Sequence, residues 1–194
     1  LLCKYLKPLA PKAFIATKLG RFPDPGNSKN YTFESFRWFT ENSLKRLNVD
    51  ALDLTQLHCI PTEYMKSGEV FEWLRTLQRE GKIKRFGASV ESISEAQTCL
   101  DQEGLASLQI IFNIFRQKPI TELFNDAKTK GVSLIVRLPL ASGLLGGKLN
   151  PNVSFPENDH RLFNSDGQCF NVGETFAGIP FNIGLDIVEE LKKM

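Results

Sequence analysis

Short apolar segments alternate with longer stretches of helical period along this chain. Each apolar segment is rich in β-branched or aliphatic residues, and each is followed by a loop and an amphipathic stretch. This alternation is typical of βαβ units and therefore predicts an α/β protein with a parallel sheet. The predicted strands are Phe14–Thr17, Leu52–Leu57, Ile83–Ala88, Leu108–Phe112 and Ser133–Leu138.

The amphipathic stretches predict helices that cover this sheet with one face. Phe33, Phe36 and Leu44 recur at helical spacing, and charged residues occupy the opposite face of the same stretch. Gly81 follows the next stretch and is suited to the left-handed cap that ends many helices. The predicted helices are Phe33–Leu47, Val70–Glu80, Ser92–Gln102, Thr121–Lys130 and Ile183–Lys193.

The number of these units predicts a barrel. Five strand–helix units of roughly 30 residues are about five of the eight units of a (β/α)8 TIM barrel, which typically has about 250 residues. We therefore expect residues 1–194 to form a single, incomplete barrel domain. The chain starts without Met, and residues 189–194 are helical in pattern, so it looks truncated at both ends. An open doubly wound sheet is the alternative that periodicity leaves open.

Composition narrows the class of partner. With 42% hydrophobic and 24% charged residues, the chain has enough apolar side chains for a packed core. A net charge of +2 gives no reason to expect nucleic acid or a membrane surface as a partner. No apolar run reaches the roughly 20 residues of a membrane span, and the start lacks the apolar core of a signal peptide. We expect a cytoplasmic protein with a small-molecule substrate, and the oligomeric state stays open.

Cysteine and histidine are too few and too scattered to suggest a metal site or a disulfide framework. The cysteines are Cys3, Cys59, Cys99 and Cys169, with no C-x-x-C pair, and the chain has two histidines. We therefore expect no metal site, and we expect reduced, buried thiols.

Polar residues lie at the end of every predicted strand. They are Lys18, His58, Ser89, Gln109 together with Asn113, and Arg137. Each of them alone has an ordinary structural explanation, such as a solvated strand end or a core histidine bonded to backbone. Barrel enzymes, however, place their chemistry at the carboxyl ends of the strands. Five polar strand ends together therefore indicate a functional site.

The sequence around these residues resembles the aldo-keto reductase family. Residues 42–58, NSLKRLNVDALDLTQLH, are similar to the family signature SLKRLxxDxxDLxxxH. Residues 15–18 (IATK) resemble the family's third strand, and residues 80–89 (EGKIKRFGAS) resemble its EGKIRxxGxS segment. Residues 109–113 (QIIFN) are similar to its QxxYN strand, and residues 137–148 (RLPLASGLLGGK) to its SPLxxGxLxGK loop after strand seven. Residues 150–178 resemble only a bacterial branch of the family.

The resemblance implies two catalytic residues in this chain. Lys18 matches the family's lysine, which makes a proton-donating tyrosine more acidic, and His58 matches the histidine that hydrogen-bonds the substrate carbonyl. The tyrosine, and an aspartate that orients the lysine, belong to the family's second strand and its loop. None of Tyr5, Tyr31 and Tyr64 matches that tyrosine position.

The resemblance also implies a binding site for NADPH. Ser89 and Gln109 would hydrogen-bond the carboxamide of the nicotinamide, although Val90 replaces the family's frequent asparagine. Arg137 stands where many members carry an aromatic ring that stacks on the nicotinamide. A planar guanidinium can stack as well, and its charge would favour the reduced cofactor over the oxidised cation. The loop that would pass along the pyrophosphate contributes Leu138, Pro139, Leu140, Ser142, Gly143 and Lys148.

We therefore expect a NADPH-dependent reductase that converts aldehydes or ketones to alcohols by hydride transfer, as part of a longer enzyme. Without the tyrosine, we expect these 194 residues alone to be inactive. We also expect them to be unstable or poorly soluble, because both edges of the sheet would be open. The alternative is a non-catalytic nucleotide-binding or regulatory subunit, or an inactive fragment, of the same fold.

Overall fold

A five-stranded sheet organises the chain, of which this computed structural model describes residues 13–21 and 27–194. The strand order is β1-β2-β3-β4-β5, and the paired residues of the first four strands run parallel. The predicted parallel α/β sheet is confirmed, with strand ends shifted by a few residues. The strands are β1 (Ala16–Leu19), β2 (Leu54–His58), β3 (Phe86–Ser89), β4 (Leu105–Ile111) and β5 (Ser133–Arg137).

Four of the five predicted helices are present, with ends shifted by no more than two residues, and the short helices at residues 62–67 and 160–163 were not predicted. The predicted helix over residues 121–130 is interrupted at Leu123, whose φ of −140° is not helical and whose side chain is buried. Within the described part of the chain, no helix is both long and apolar enough to cross a membrane. The helices are α1 (Phe33–Leu47), α2 (Thr62–Ser67), α3 (Glu69–Arg79), α4 (Ile93–Leu100), α5 (Lys118–Glu122), α6 (Phe124–Thr129), α7 (His160–Phe163) and α8 (Phe181–Leu191).

Helix α3 shows how the helices cover one face of the sheet. Its apolar positions Phe71, Leu74 and Leu77 are fully buried, and the Phe71 ring lies 6.5 Å from the ring of Phe86 on β3. Burying each such side chain stabilises the fold by about 1.5–3 kcal/mol. Gly81, with φ +74°, adopts the left-handed conformation predicted after this helix.

The chain divides into two compact units. The first takes in the described residues up to Ile110 together with Glu122–Ile135, and the second consists of Ile111–Thr121 and Val136–Met194. The first unit contains the sheet residues that carry most of the predicted site. The second has its own core, in which 3-10 turns and α8 pack around aromatic rings. Its buried members are Ala141, Leu144, Phe176, Ala177 and Val188.

The cysteines differ in burial. Cys99 is buried, and burial raises the pKa of its thiol to about 12. Cys169 is exposed, so the prediction of buried thiols is wrong for this residue. It lies in the loop after α7, where the sequence pattern has no periodicity that would indicate burial. Cys3 and Tyr5 lie outside the described residues.

Candidate functional site

Four predicted site residues lie on one face of the sheet, near the carboxyl ends of four adjacent strands. Lys18 is in register with Gln56, His58 with Ser89, and Ser89 with Gln109. Residues in register share a face, and so do alternate residues along one strand. Lys18, His58, Ser89 and Gln109 are therefore brought together on the face opposite to the one that α3 covers.

Asp53 fixes the start of the strand that carries Lys18. Its Oδ2 accepts a hydrogen bond from the Ile15 backbone N–H at 2.8 Å, and its own N–H donates to the Ile15 carbonyl at 2.9 Å. Lys84 Nζ donates to the other carboxylate oxygen at 2.8 Å. The hydrogen bond from Lys84, followed by that from the Ile15 N–H, lowers the pKa of Asp53. The loop before β2 thus holds β1 in place, with Lys18 exposed at its far end.

Ser89 orients the Gln109 side chain. The fully buried Ser89 hydroxyl donates to Gln109 Oε1 at 3.3 Å, and Cys59 Sγ lies 3.5 Å from the same hydroxyl oxygen. Because Ser89 has one hydroxyl proton and gives it to Gln109, the Cys59 thiol is the donor to Ser89. Gln109 Nε2 makes no hydrogen bond to any other described residue, so this N–H group can donate to a ligand. A donor of this kind fits the carbonyl oxygen of a carboxamide such as that of nicotinamide.

A second polar layer lies directly beneath His58 and was not predicted. Gln56 is 2% exposed, and its Nε2 donates to Ser107 Oγ at 3.2 Å across β3. Gly87 makes room for this bond, since a Cβ there would lie 2.4 Å from both Ser107 Oγ and the Ser107 carbonyl oxygen. Gln56 stands two residues before His58, and strand alternation could have placed it on the same face.

In the second unit, Arg137 forms an ion pair that the sequence did not predict. Its Nη1 lies 2.7 Å from Glu174 Oε1, and the two side chains are only 16% and 18% exposed. Asn113, the other polar residue noted after β4, donates from Nδ2 to the carbonyl of Leu138 at 3.0 Å. Both bonds fix the chain just after β5. Only the three-dimensional fold brings Glu174 to Arg137, since no local pattern links them.

The loop after β5 has an unusual backbone. Leu138, Ala141 and Ser142 adopt φ values of +54°, +46° and +58°, a region that side chains other than glycine seldom occupy. Such conformations persist where surrounding contacts hold them. The Ser142 hydroxyl supplies such contacts, because it donates to the Glu174 carbonyl at 2.9 Å and accepts from the Phe176 N–H at 3.3 Å.

The remaining predicted residues of this loop are less constrained. Pro139, Leu140 and Lys148 are exposed, and Gly143 has a φ of +93°. The loop therefore offers backbone groups and one lysine charge at the surface of the second unit, while the Ser142 hydroxyl is already used by the protein.

A cleft of about 460 Å³ adjoins Ser142 in the same unit. Arg161 donates from Nε and Nη2 to the Asp159 carboxylate at 3.0 and 2.7 Å, and its guanidinium lies 4.3 Å from the centre of the Phe155 ring. The side-chain hydrogen bond from Arg161, followed by the Arg161 backbone N–H, lowers the pKa of Asp159 to about 2. The cleft is lined by Ser142, Asn158, Asp159, His160, Arg161 and Phe163.

Comparison with known proteins decides the family. The model of the aldo/keto reductase family matches residues 3–194. The chain belongs to the aldo/keto reductase family. The resemblance found in the sequence is thereby confirmed, and an aldo/keto reductase is an oxidoreductase that uses a nicotinamide cofactor and acts on carbonyl compounds.

The relatives of this aldo/keto reductase chain are longer than the chain itself. Aldo-keto reductase str7 of Strobilurus tenacellus is 31% identical over 188 residues, which are 93% of this chain and 51% of that protein. The NADH-specific methylglyoxal reductase of Escherichia coli is 29% identical over 123 residues, 62% of this chain and 38% of that protein. The chain spans about half the length, or less, of these relatives.

A solved structure supports the fold. The glycerol dehydrogenase from Gluconobacter oxydans superposes with a TM-score of 0.70 at 25% identity, covering 99% of this chain and 57% of that one. Together with the parallel sheet, this likeness confirms the expected (β/α)8-type fold, of which the chain covers about five units.

Proposed function

We propose that this aldo/keto reductase chain binds NADPH and supplies the lysine, the histidine and the nicotinamide contacts for reducing aldehydes or ketones to alcohols. One observation carries the proposal: Lys18, His58, Ser89 and Gln109 lie on one face of the sheet near its carboxyl end. Lys18 and His58 can stabilise a developing negative charge, and Ser89 and Gln109 can hydrogen-bond or orient a carboxamide. A purely structural role needs no such combination.

Lys18 and His58 have complementary tasks at the substrate. A bound NADPH supplies the hydride, and the carbonyl oxygen then gains negative charge. The Lys18 ammonium and a ring N–H of His58 stabilise that charge, as fixed donors do in oxyanion sites. The proton donor of the family, a tyrosine, matches no position in these 194 residues. General acid catalysis typically contributes about 10²–10⁴-fold, so we expect this chain alone to turn over slowly if at all.

Gln109 and Ser89 act on the cofactor. The Gln109 amide N–H, which bonds no other residue that the structure describes, would donate to the carboxamide oxygen of the nicotinamide, and Ser89 holds the Gln109 side chain in that orientation. We assign the backbone after β5, together with Lys148, to the pyrophosphate. We propose NADPH as the cofactor. Because the related methylglyoxal reductase of Escherichia coli is NADH-specific, NADH is tested alongside NADPH.

Transfer of deuterium tests the proposal. NADPH or NADH carrying deuterium at the reactive nicotinamide carbon is mixed with excess chain and an aldehyde such as methylglyoxal or benzaldehyde, and the alcohol is analysed by mass spectrometry. A single-turnover assay suits a slow catalyst. Lys18→Met is compared with Lys45→Met, which removes an exposed lysine of α1.

Three outcomes separate the possibilities. Deuterium on the alcohol carbon with the wild type and Lys45→Met, but not with Lys18→Met, supports the reductase. Cofactor binding without any deuterium transfer supports the cofactor site and contradicts hydride transfer by these 194 residues alone. Failure to bind either cofactor contradicts both functions.

A further inference from the structure

The polar layer beneath His58 repeats the arrangement of the candidate site above it. Its members are in register across β2, β3 and β4, and they are Gln56, Gly87 and Ser107. Each of them stands two residues before a member of the upper layer, which consists of His58, Ser89 and Gln109. Because alternate residues of a strand share a face, the lower layer lies directly under the groups that we assign to substrate and cofactor.

The lower layer joins two strands that are not neighbours. Gln56 Nε2 on β2 donates to Ser107 Oγ on β4 at 3.2 Å, and this bond crosses β3, which lies between them. Gly87 leaves the space for the bond, since a Cβ there would lie 2.4 Å from Ser107 Oγ. Gln56 and Ser107 are only 2% and 3% exposed, so water competes little for the bond. The Gln56–Ser107 bond therefore links β2 directly to β4.

An extra residue in β4 puts one end of this bond on the site face. The ladder between β3 and β4 skips Ala106, because consecutive β3 residues pair with Leu105 and then with Ser107. An extra residue of this kind, as in a β-bulge, moves the following side chains to the other face of the strand. Without it, Ser107 and Gln109 would point to the face that the helices cover. The same irregularity thus places both residues on the face of the site.

Hydride transfer depends on the separation of β2 and β4. In the proposed function, on which this inference rests, His58 on β2 contacts the substrate carbonyl and Gln109 on β4 holds the nicotinamide. The distance between the two strands therefore fixes the distance between the two reactants, and a misplacement of about 1 Å can slow an enzymatic reaction about 100-fold. We propose that Gln56 and Ser107 are positioning residues, whose hydrogen bond sets the separation of His58 and Gln109.

Binding and geometry are measured separately in the wild type, Gln56→Leu, Ser107→Ala and the double variant. The chain has two histidines, so proton NMR resolves the His58 ring once His160→Gln has identified the other signal. The NADPH dissociation constants of the variants should stay within about twofold of the wild type, because Ser89 and Gln109 keep their bond. The change that saturating NADPH causes in the His58 signal should shrink, because the nicotinamide ring affects this signal less at a greater distance. Any deuterium transfer to the aldehyde should slow about tenfold.

The double variant and a neighbouring residue serve as controls. The double variant should match either single variant, because all three lack the same bond. Thr55 precedes Gln56 on the opposite face of β2, is fully buried, and has a hydroxyl without a hydrogen-bond partner among the described residues. Thr55→Val removes this hydroxyl and should give the wild-type His58 signal with NADPH.

The overturning results are distinct from failure of the proposed function. A wild-type response of the His58 signal in Gln56→Leu and Ser107→Ala, an equal loss in Thr55→Val, or additive losses in the double variant overturn the positioning role and leave the cofactor site intact. A wild-type chain that binds neither NADPH nor NADH overturns both. If circular dichroism shows that Gln56→Leu is unfolded, Ser107→Ala decides by the same criterion.

Discussion

Asp53 offers a sharp test of how the strand bearing Lys18 is held. Asp53→Ala removes the acceptor of the Ile15 N–H at the start of β1 and the partner of Lys84. Leaving a partly buried backbone donor without its acceptor costs about 1–3 kcal/mol. The Lys84 pair adds little, because its lysine side chain is 59% exposed and such pairs contribute about 0–1 kcal/mol. We therefore expect a loss of about 1.5–3 kcal/mol in the free energy of unfolding.

Asp53→Asn separates the hydrogen bond from the charge. The asparagine oxygen can still accept from the Ile15 N–H, so this variant should lose only about 0.5–1 kcal/mol. Urea denaturation followed by circular dichroism, with linear extrapolation to water, measures both losses. Asp50→Ala, at an exposed position three residues earlier, serves as the control and should change stability little. Equal losses in Asp53→Asn and Asp53→Ala would refute the role of the Ile15 hydrogen bond.

The same residue predicts a dependence on pH. The folded-state pKa of Asp53 lies below its ordinary value of 3.8, so the unfolded state binds the proton more readily. The contribution of the carboxylate is complete above that ordinary value and is lost as the pH falls through the lower folded-state pKa. The stability difference between the wild type and Asp53→Asn should therefore shrink as the pH falls below about 4. A difference that grows under acid conditions would contradict this reasoning.

Three further substitutions probe the two units. Gly87→Ala would force a Cβ to within 2.4 Å of the Ser107 carbonyl oxygen. Urea denaturation should therefore show a loss of about 1–3 kcal/mol in the free energy of unfolding. A loss smaller than this range would contradict the close packing at Gly87. Cys59→Ala should weaken NADPH binding severalfold, because it removes the thiol that hydrogen-bonds the Ser89 hydroxyl. Cys59→Ser keeps a hydrogen-bond donor at this position and should retain the binding of the wild type. Equal NADPH affinities of the two variants would argue against this chain of hydrogen bonds. Asn164→Leu leaves two backbone N–H groups without their buried acceptor. Thermal unfolding should therefore show a loss of about 2–4 kcal/mol in the free energy of unfolding. The control Asn152→Leu, at an exposed position, should change stability little.

Much of the fold could be predicted because periodicity and burial agree in its centre. The helix at residues 33–47 has the predicted bounds, and its N-cap Thr32 accepts from the Ser35 N–H. Strands β2 and β3 were predicted to start too early: Leu52 and Ile83 are apolar and buried, but they form only an isolated bridge before these strands begin. The hydrophobic pattern of a sequence indicates which residues are buried, but it does not indicate which residues pair in a sheet.

Part of the candidate site could also be predicted from the sequence, and part could not. The placement of Lys18, His58, Ser89 and Gln109 on one face could be predicted, because each lies at or near the carboxyl end of a strand and the register of a parallel sheet aligns strand ends. Glu174 could not, because its carboxylate reaches Arg137 through the fold of a loop without periodicity. The break at Leu123 was also missed, since a buried leucine fits the helical pattern as well as it fits the interruption.

Direct titration of NADPH and NADH tests the central claim, a nicotinamide site that includes Gln109. The wild-type chain is compared with Gln109→Ala and with Gln97→Ala, an exposed glutamine of α4. The account predicts that the chain binds NADPH, that Gln109→Ala weakens binding about tenfold, equivalent to about 1.4 kcal/mol, and that Gln97→Ala binds as the wild type does. Binding of neither cofactor, or equal affinity in Gln109→Ala and the wild type, would contradict it.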